Sequence, residues 1–548
     1  MGITDVSVIF IFVLLIFICG MSFSKTGKNM KSYFSAGGAL PWWMSGLSLF
    51  MSFFSAGTFV VWGAIAYSSG WVAISIQWTM CISGLIIGFL IAPKWQKTKA
   101  ITAAQFITDR LGYKTQRTYT YLFLLISIFT MGAFLYPVAK IVEVSTGTPI
   151  VASIVGLGIL ILIYTTVGGL WAVIVTDVLQ FVVLTAVVLI VVPLSFDKIG
   201  GIEAFISKAP DTFFQFVNTE YSPLFLVAFG LYNLFFIAGN WAYVQRYTSV
   251  STPKDAKKVG WLFGVLYAVC PLIWMLPPMV YRVLNPNLNG LENEGAYLLM
   301  CKEVLPVGML GLMLGGMIFA TSSSVNTTLN ISAGVLTNDI YKHFKPNTPE
   351  RKLVKIGKLA TVLLGVITII IALMVPYFGG IVEVVMSLAA LTGGAMFLPP
   401  IWALFSKNQT GFTVLSVTII SLFINVFFKF FSPLLFNLKL DRALEMLLGV
   451  AVPIILLIAC EIYFMLKPVK NLKYQEYKAL IELKTTTETD STSTQNKKGA
   501  RVIGIGIALT GLIILILSFL AATGAFFVGT IGLLIGILGS LIIYKNLK

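Results

Sequence analysis

The sequence predicts an all-α polytopic membrane protein, and three observations carry that reading. Of 548 residues, 57% are hydrophobic and only 11% are charged. Apolar runs of membrane-spanning length recur along the whole chain. The Lys and Arg between those runs fall mainly on one side of the implied membrane.

The runs lie near 5–23, 43–67, 71–93, 118–139, 149–168, 170–195, 223–245, 260–281, 304–338, 359–378, 380–406, 411–431, 444–466, 502–523 and 525–544, about fifteen helices. The first is expected to span rather than to be cleaved. No basic residue precedes it and no convincing small-residue cleavage site follows. Glycine pairs, Gly168-Gly169 and Gly379-Gly380, are expected to make two very short turns. With the N-terminus outside and strict alternation, thirty of the 38 Lys and Arg fall in inner loops. The same alternation puts the C-terminus in the cytoplasm and the protein in the plasma (inner) membrane.

The formal charge of +16 is therefore an inner-face bias and not a nucleic-acid footprint. Five cysteines at unrelated spacings form no disulfide or zinc pattern, and the single histidine, His343, lies in a basic loop. No paired carboxylates, His cluster or nucleophile constellation appears, which argues against an enzyme. The polar stretch Glu482 to Lys498 reads as a flexible cytoplasmic linker. The two helices after it hold no intramembrane charge and read as peripheral.

Polar residues inside spans are costly, so each is informative. No charge lies between Glu303 and Asp339, yet that run contains Thr321-Ser322-Ser323-Ser324-Val325-Asn326-Thr327-Thr328. Hydroxyl and carbonyl oxygens without a carboxylate suit a weakly held hard cation, sodium being the natural candidate. The blander alternative is hydroxyls bonding back to their own helix. Asp177 is the only charge between Glu143 and Asp197. It is either a cation ligand or a carboxylate near its helix start. Ser45 to Thr58 is rich in small polar residues, and Gly57 is expected to let that helix unwind. Phe229 to Trp241 holds two amides and two glycines. These two irregular spans stand five helices apart, as two inverted five-helix repeats with broken first helices would place them.

Four stretches resemble the sodium/solute symporter family. They are Tyr33-Phe34-Ser35-Ala36-Gly37-Gly38 with Leu40-Pro41-Trp42-Trp43, Gly168-Gly169-Leu170 with Thr176-Asp177-Val178-Leu179-Gln180, Gln245-Arg246, and Ala320 to Tyr341. The resemblance implies a LeuT-like 5+5 inverted-repeat core. It divides the chain into a first outer helix (1–30), the transport core (31–406), two added helices (407–466), a linker (467–501) and two peripheral helices (502–548).

For the coupling ion, Na+, the resemblance implies the carbonyls of Met51, Phe54 and Ala320 with the hydroxyls of Ser323 and Ser324. A possible second sodium would use Asp177, Asn326 and Thr327. The implied solute site uses Thr58, Gln77, Asn233 and Tyr267, with Phe236 as inner gate. Trp62 and Trp78 are aromatic candidates for the solute wall. The pocket segments carry no basic residue, which favours a neutral hydroxyl-rich solute, a sugar first and an organic acid or other metabolite as alternatives. Proton coupling through Asp177 is the rival mechanism; a sensor or channel is the rival class. The expected partners are the solute and membrane lipid, with no nucleic acid and no obligate protein partner evident.

Overall fold

The computed structural model describes residues 2–22, 40–100, 102–164, 170–341, 344–345, 347–467, 471–486, 493–521 and 523–547. Among them the structure is helical, apart from turns and one isolated bridge between Leu40 and Val250. The helices used below are α1 (Ile3–Met21), α2 (Trp42–Met51), α3 (Gly63–Ser69), α4 (Val72–Ile86), α5 (Ala103–Leu111), α6 (Tyr113–Thr146), α7 (Ile150–Tyr164) and α8 (Leu170–Ile199). They continue with α9 (Pro223–Gly239), α10 (Trp241–Thr248), α11 (Pro253–Trp274), α12 (Leu276–Leu284), α13 (Met309–Gly334), α14 (Glu350–Met374), α15 (Ile381–Thr392) and α16 (Leu398–Phe405). The last five are α17 (Gly411–Val426), α18 (Arg442–Leu466), α19 (Leu472–Thr486), α20 (Ser493–Ser518) and α21 (Ala525–Leu547).

Among the described residues, eleven helical stretches are long and apolar enough to cross a membrane, and the bent pair α9–α10 makes a twelfth. Three shorter apolar stretches, Thr58–Ser69, Ile150–Leu162 and Met309–Ser322, fall on the remaining expected runs. A lipid-facing backbone must satisfy its own polar groups, so interruptions need a protein surround. Both expected interruptions are present. Between α2 and the π-helical turn Thr58–Trp62, residues Ser52 to Ser55 leave the helix. Gly57, the expected point of unwinding, is itself helical with φ −56° and ψ −37°. The break therefore comes earlier, where serines rather than glycine supply local hydrogen bonds. Between α9 and α10 the chain bends by 61° at Asn240, whose side chain accepts from the Ala242 amide and caps α10. Gly239 is needed there: a Cβ would lie 2.9 Å from the Phe397 carbonyl.

The turn at Gly379-Gly380 has the left-handed backbone that glycine permits, φ +89° and +93°. Gly168-Gly169 lie outside the described residues. The expected linker is helical at both ends, in α19 and the start of α20; residues 487–492 lie outside the described residues. A hydrophilic composition did not prevent helix because α19 has something to dock on. Asn471, at its start, donates to the Lys407, Asn408 and Gln409 carbonyls, and Lys484 pairs with Asp109 of α5 at 3.0 Å.

Two packing features set the frame of the site. Asp5 of α1 is buried and accepts from the Gly308 and Gly311 amides at 2.9 and 3.2 Å, which caps the start of α13. Helices α4 and α11, extended by the π turn Ile87–Ile91, meet backbone to backbone. A Cβ on Gly260 would lie 2.6 Å from Gly88 Cα, and one on Gly84 2.9 Å from Gly264 Cα.

Candidate functional site

The break after α2 is the centre of the site. Four residues outside a helical ladder leave amides and carbonyls to be paired locally. Phe54 N donates to Phe50 O at 3.0 Å, and Ser55 N to Phe53 O at 3.1 Å. Thr58 braces the same turn: its hydroxyl donates to Phe53 O and accepts from Ser55 N. Among the described residues, no hydrogen bond is made to the Met51 or Phe54 carbonyl within this turn. These are the two break carbonyls that the resemblance implies as ion ligands.

Helix α13 lies directly against the break. Ala56 N donates to Thr321 Oγ1 at 3.1 Å, and Thr321 in turn donates to Met317 O at 3.0 Å. The family resemblance gives Thr321 no ligand role, which leaves it the back-bonding of an ordinary helix hydroxyl. It does bond back, but its oxygen also pairs the orphan amide of the broken helix. Ser324, one turn on, lines the cavity beside the break, and its hydroxyl reaches Ala320 O at 3.5 Å. Ala320 is buried. The side chains of Ser323, Asn326 and Thr327 lie outside the described residues.

Asp177 belongs to a buried ion pair. Its Oδ2 accepts from Ser48 Oγ at 2.5 Å and stands 4.0 Å from an Arg246 terminal nitrogen. Arg246 Nε donates to Ser48 Oγ at 3.3 Å, and its guanidinium also reaches Ala242 O at 3.0 Å. Helices α2, α8 and α10 thus meet at one charge pair. Two expectations are corrected here. Arg246, counted with the inner-loop cations, is only 5% exposed, and it lines the cavity that was expected to lack a basic residue. The pairing follows from the charge itself: a buried guanidinium needs an anion and hydrogen-bond acceptors.

The cavity has a volume of about 240 Å³ and runs along the break, α6, α9, α11, α13 and the π turn Gly393–Phe397. Ten aromatic side chains share its wall with serines, threonines, two asparagines and the Asp177–Arg246 pair. Thr58, Asn233, Tyr267 and Phe236 of the expected set line it, as does Trp62. Asn233 Nδ2 donates to Thr79 Oγ1 at 2.9 Å. Phe236 packs against Phe53, Tyr243 and Phe397, with ring centroids 6.2, 5.4 and 5.3 Å away. Gln77 is not on the wall. It is 1% exposed and its carbonyl accepts from Trp274 Nε1 at 3.0 Å. Trp78 is also off the wall, donating to Ala268 O and stacking on Phe216.

The arrangement places uncharged oxygens at a broken helix beside an aromatic cavity, which suits transport and not bond chemistry. A family model described as "Sodium:solute symporter family" matches residues 33–420. The chain belongs to the sodium:solute symporter family. As a sodium:solute symporter it is a transporter, not an enzyme. It is 28% identical to the sodium/glucose cotransporter of Vibrio parahaemolyticus, over 73% of this chain and 79% of that one. It is 29% identical to a sodium/sialic acid symporter of Proteus mirabilis, over 72% and 83% of the two chains. It is 28% identical to sodium/myo-inositol cotransporter 2 of Sus scrofa, over 67% of this chain and 60% of that one. The fold resembles a solved Na+-coupled sialic acid symporter in its substrate-bound, outward-open state. The TM-score is 0.69 at 24% identity, covering 84% of this chain and 98% of that one. This symporter accordingly has the LeuT-like fold that the family resemblance implies.

Proposed function

We propose that the protein imports a small neutral, hydroxyl-rich solute, a sugar or polyol, together with sodium across the plasma membrane, with its N-terminus outside. The observation that carries the reading is the hydrogen bond from Ala56 N to Thr321 Oγ1. It holds the break of α2 against α13, beside the Met51 and Phe54 carbonyls and the Ser324 hydroxyl. A sodium ion takes these with the Ala320 carbonyl and Ser323, so binding ties the two helices together. Asp177, Asn326 and Thr327 are the ligands of a second ion, for which Asp177 must give up part of its contact with Arg246.

Sodium and solute share the wall formed by the break, so each raises the affinity for the other by the same factor. The membrane potential adds about 2.3 kcal/mol per charge per 100 mV. Asn233 supplies the polar anchor, Tyr267 and Trp62 the flat walls for a sugar face, and Phe236 the gate. A neutral solute is favoured because the cavity's one cation, among the described residues, is already paired with Asp177. The relatives named for glucose and myo-inositol fit that chemistry, whereas the one named for sialic acid extends it to an anion.

Uptake into proteoliposomes tests the reading, using sugars, polyols, organic acids and amino acids with sodium or choline outside. Sodium-dependent uptake of a sugar or polyol is expected, with Ser324→Ala requiring more sodium for the same rate. Uptake unaffected by choline and driven by a pH gradient would replace sodium with proton coupling through Asp177.

A further inference from the structure

Phe54 lies where the backbone has left the α2 ladder, so the direction of its carbonyl is not fixed by a helix. Its peptide is held on one side by Ser55 N, which bonds Phe53 O and Thr58 Oγ1, and the residue is held on the other by its ring. Phe54 stacks on Trp274 with centroids 4.4 Å apart and planes 29° from parallel. Phe50, on the same face, stacks on that indole at 5.7 Å and 21°. Phe59 packs on the Phe54 ring at 5.4 Å and itself reaches the indole at 6.5 Å.

Trp274 itself stands at a discontinuity. It is the last residue of α11, and Met275 separates it from α12. Its indole is therefore anchored from elsewhere, by the hydrogen bond from Nε1 to Gln77 Oε1 on α4 at 3.0 Å. Trp274 and Gln77 are both 1% exposed. The Gln77 amide nitrogen has no hydrogen-bond partner among the described residues. Burying half an amide unpaired is costly, so packing alone does not account for a glutamine here. Its carbonyl serves Trp274.

We infer that Gln77 and Trp274 are positioning residues for the ion: Gln77 holds the indole, the indole holds the Phe54 ring, and the ring aims the Phe54 carbonyl at sodium. The inference rests on Phe54 being an ion ligand, as proposed above. It assigns to Gln77 a role in the sodium site and removes it from the solute wall.

The test uses the full chain in liposomes, with sodium binding measured in the absence of solute and solute uptake measured at saturating sodium. Trp274→Phe keeps an aromatic ring against Phe54 but loses the N–H; Gln77→Leu loses the acceptor. Each is expected to raise the half-saturating sodium by about 2- to 12-fold, the worth of one hydrogen bond. The double variant should add nothing beyond the larger single effect, because both remove one contact. The solute half-saturation of Trp274→Phe should stay unchanged. Unchanged sodium binding in both single variants, or a Gln77→Leu effect confined to solute, overturns the inference. Ser324→Ala separates this from the underlying reading. If Ser324→Ala weakens sodium binding and the other two do not, only the positioning role fails. If none of the three does, the ion site itself fails.

Discussion

Replacing Thr321 by Val removes one oxygen and leaves the shape of the side chain nearly intact. The hydroxyl is 1% exposed with its residue and accepts the Ala56 amide at 3.1 Å. Without it, that amide is a buried donor at the start of a helical turn with no ladder partner. Such a loss costs about 1–3 kcal/mol. If the contact forms only when the ion draws α2 and α13 together, the full cost appears as weaker sodium activation. At 1.4 kcal/mol per tenfold that is about 5- to 150-fold more sodium for half-maximal uptake. If the contact is present with and without the ion, the cost goes into stability and the sodium curve does not move. A sodium titration of solute uptake, alongside thermal unfolding of the same preparations, separates the two. Thr321→Ser restores the oxygen and should restore the curve. A Thr321→Val protein whose half-saturating sodium stays within about twofold of wild type, below one hydrogen bond's worth, refutes the assignment of this hydroxyl to the ion-dependent contact.

Arg246→Leu strands Asp177 in the interior with Ser48 alone, at a cost of about 3–5 kcal/mol. It should lower the unfolding temperature in sodium-free buffer, and Asp177→Asn in the same chain should recover most of the loss; a single variant as stable as wild type would contradict the buried pair. In Gly393→Ala the new Cβ would lie 2.0 Å from Tyr232 Cδ2, pushing that ring into the cavity it lines. Overpacking of this kind costs about 1–3 kcal/mol, and solute affinity should fall while solute-free sodium binding persists. Glu294, between α12 and α13, accepts from Tyr136 and from the first amide of α15, each at 2.9 Å. Burial pushes its carboxyl pKa above the usual value, against the pull of those two donors. The folded state thus binds the proton more tightly than the unfolded chain. Its stabilising contribution is full below the ordinary glutamate range and is lost as pH rises through the folded value. Glu294→Gln should flatten the pH dependence of unfolding just above pH 4.5; an unchanged slope would exclude this carboxyl as its source.

Periodicity and charge placement located the spans because a bilayer imposes length and polarity on every crossing. The two broken helices were legible for a related reason: Asn240 and the serines after Met51 are too polar for uninterrupted lipid-facing helix. What the sequence did not disclose is rotation. Gln77 and Trp78 are neighbours on one helix, and only the packing of α4 decides that neither faces the cavity. Thr321 and Ser324 belong to one polar run, but which of them meets the break depends on how α13 is turned. Gln245-Arg246 carried part of the family resemblance, but charge counting placed Arg246 with the inner loops, and nothing in the sequence announces that α10 carries it back to Asp177. Composition also misjudged α19, which docks on loop carbonyls at 407–409 and on Asp109 of α5, all distant in sequence.

The glycine contacts between α4 and α11 bear on motion. At Gly84, Gly88, Gly260 and Gly264 an added Cβ would meet the facing helix at 2.5 to 3.0 Å, so the contact is close-packed and leaves little room for one helix to slide on the other. The pair is therefore a single stiff lever. Tyr267 projects from one arm into the solute cavity, while Gln77 on the other grips the indole of Trp274. Any tilt of that pair moves a cavity-lining side chain and the aromatic stack around Phe54 together. If sodium and solute bind as proposed, their two sites are joined through one rigid pair of helices.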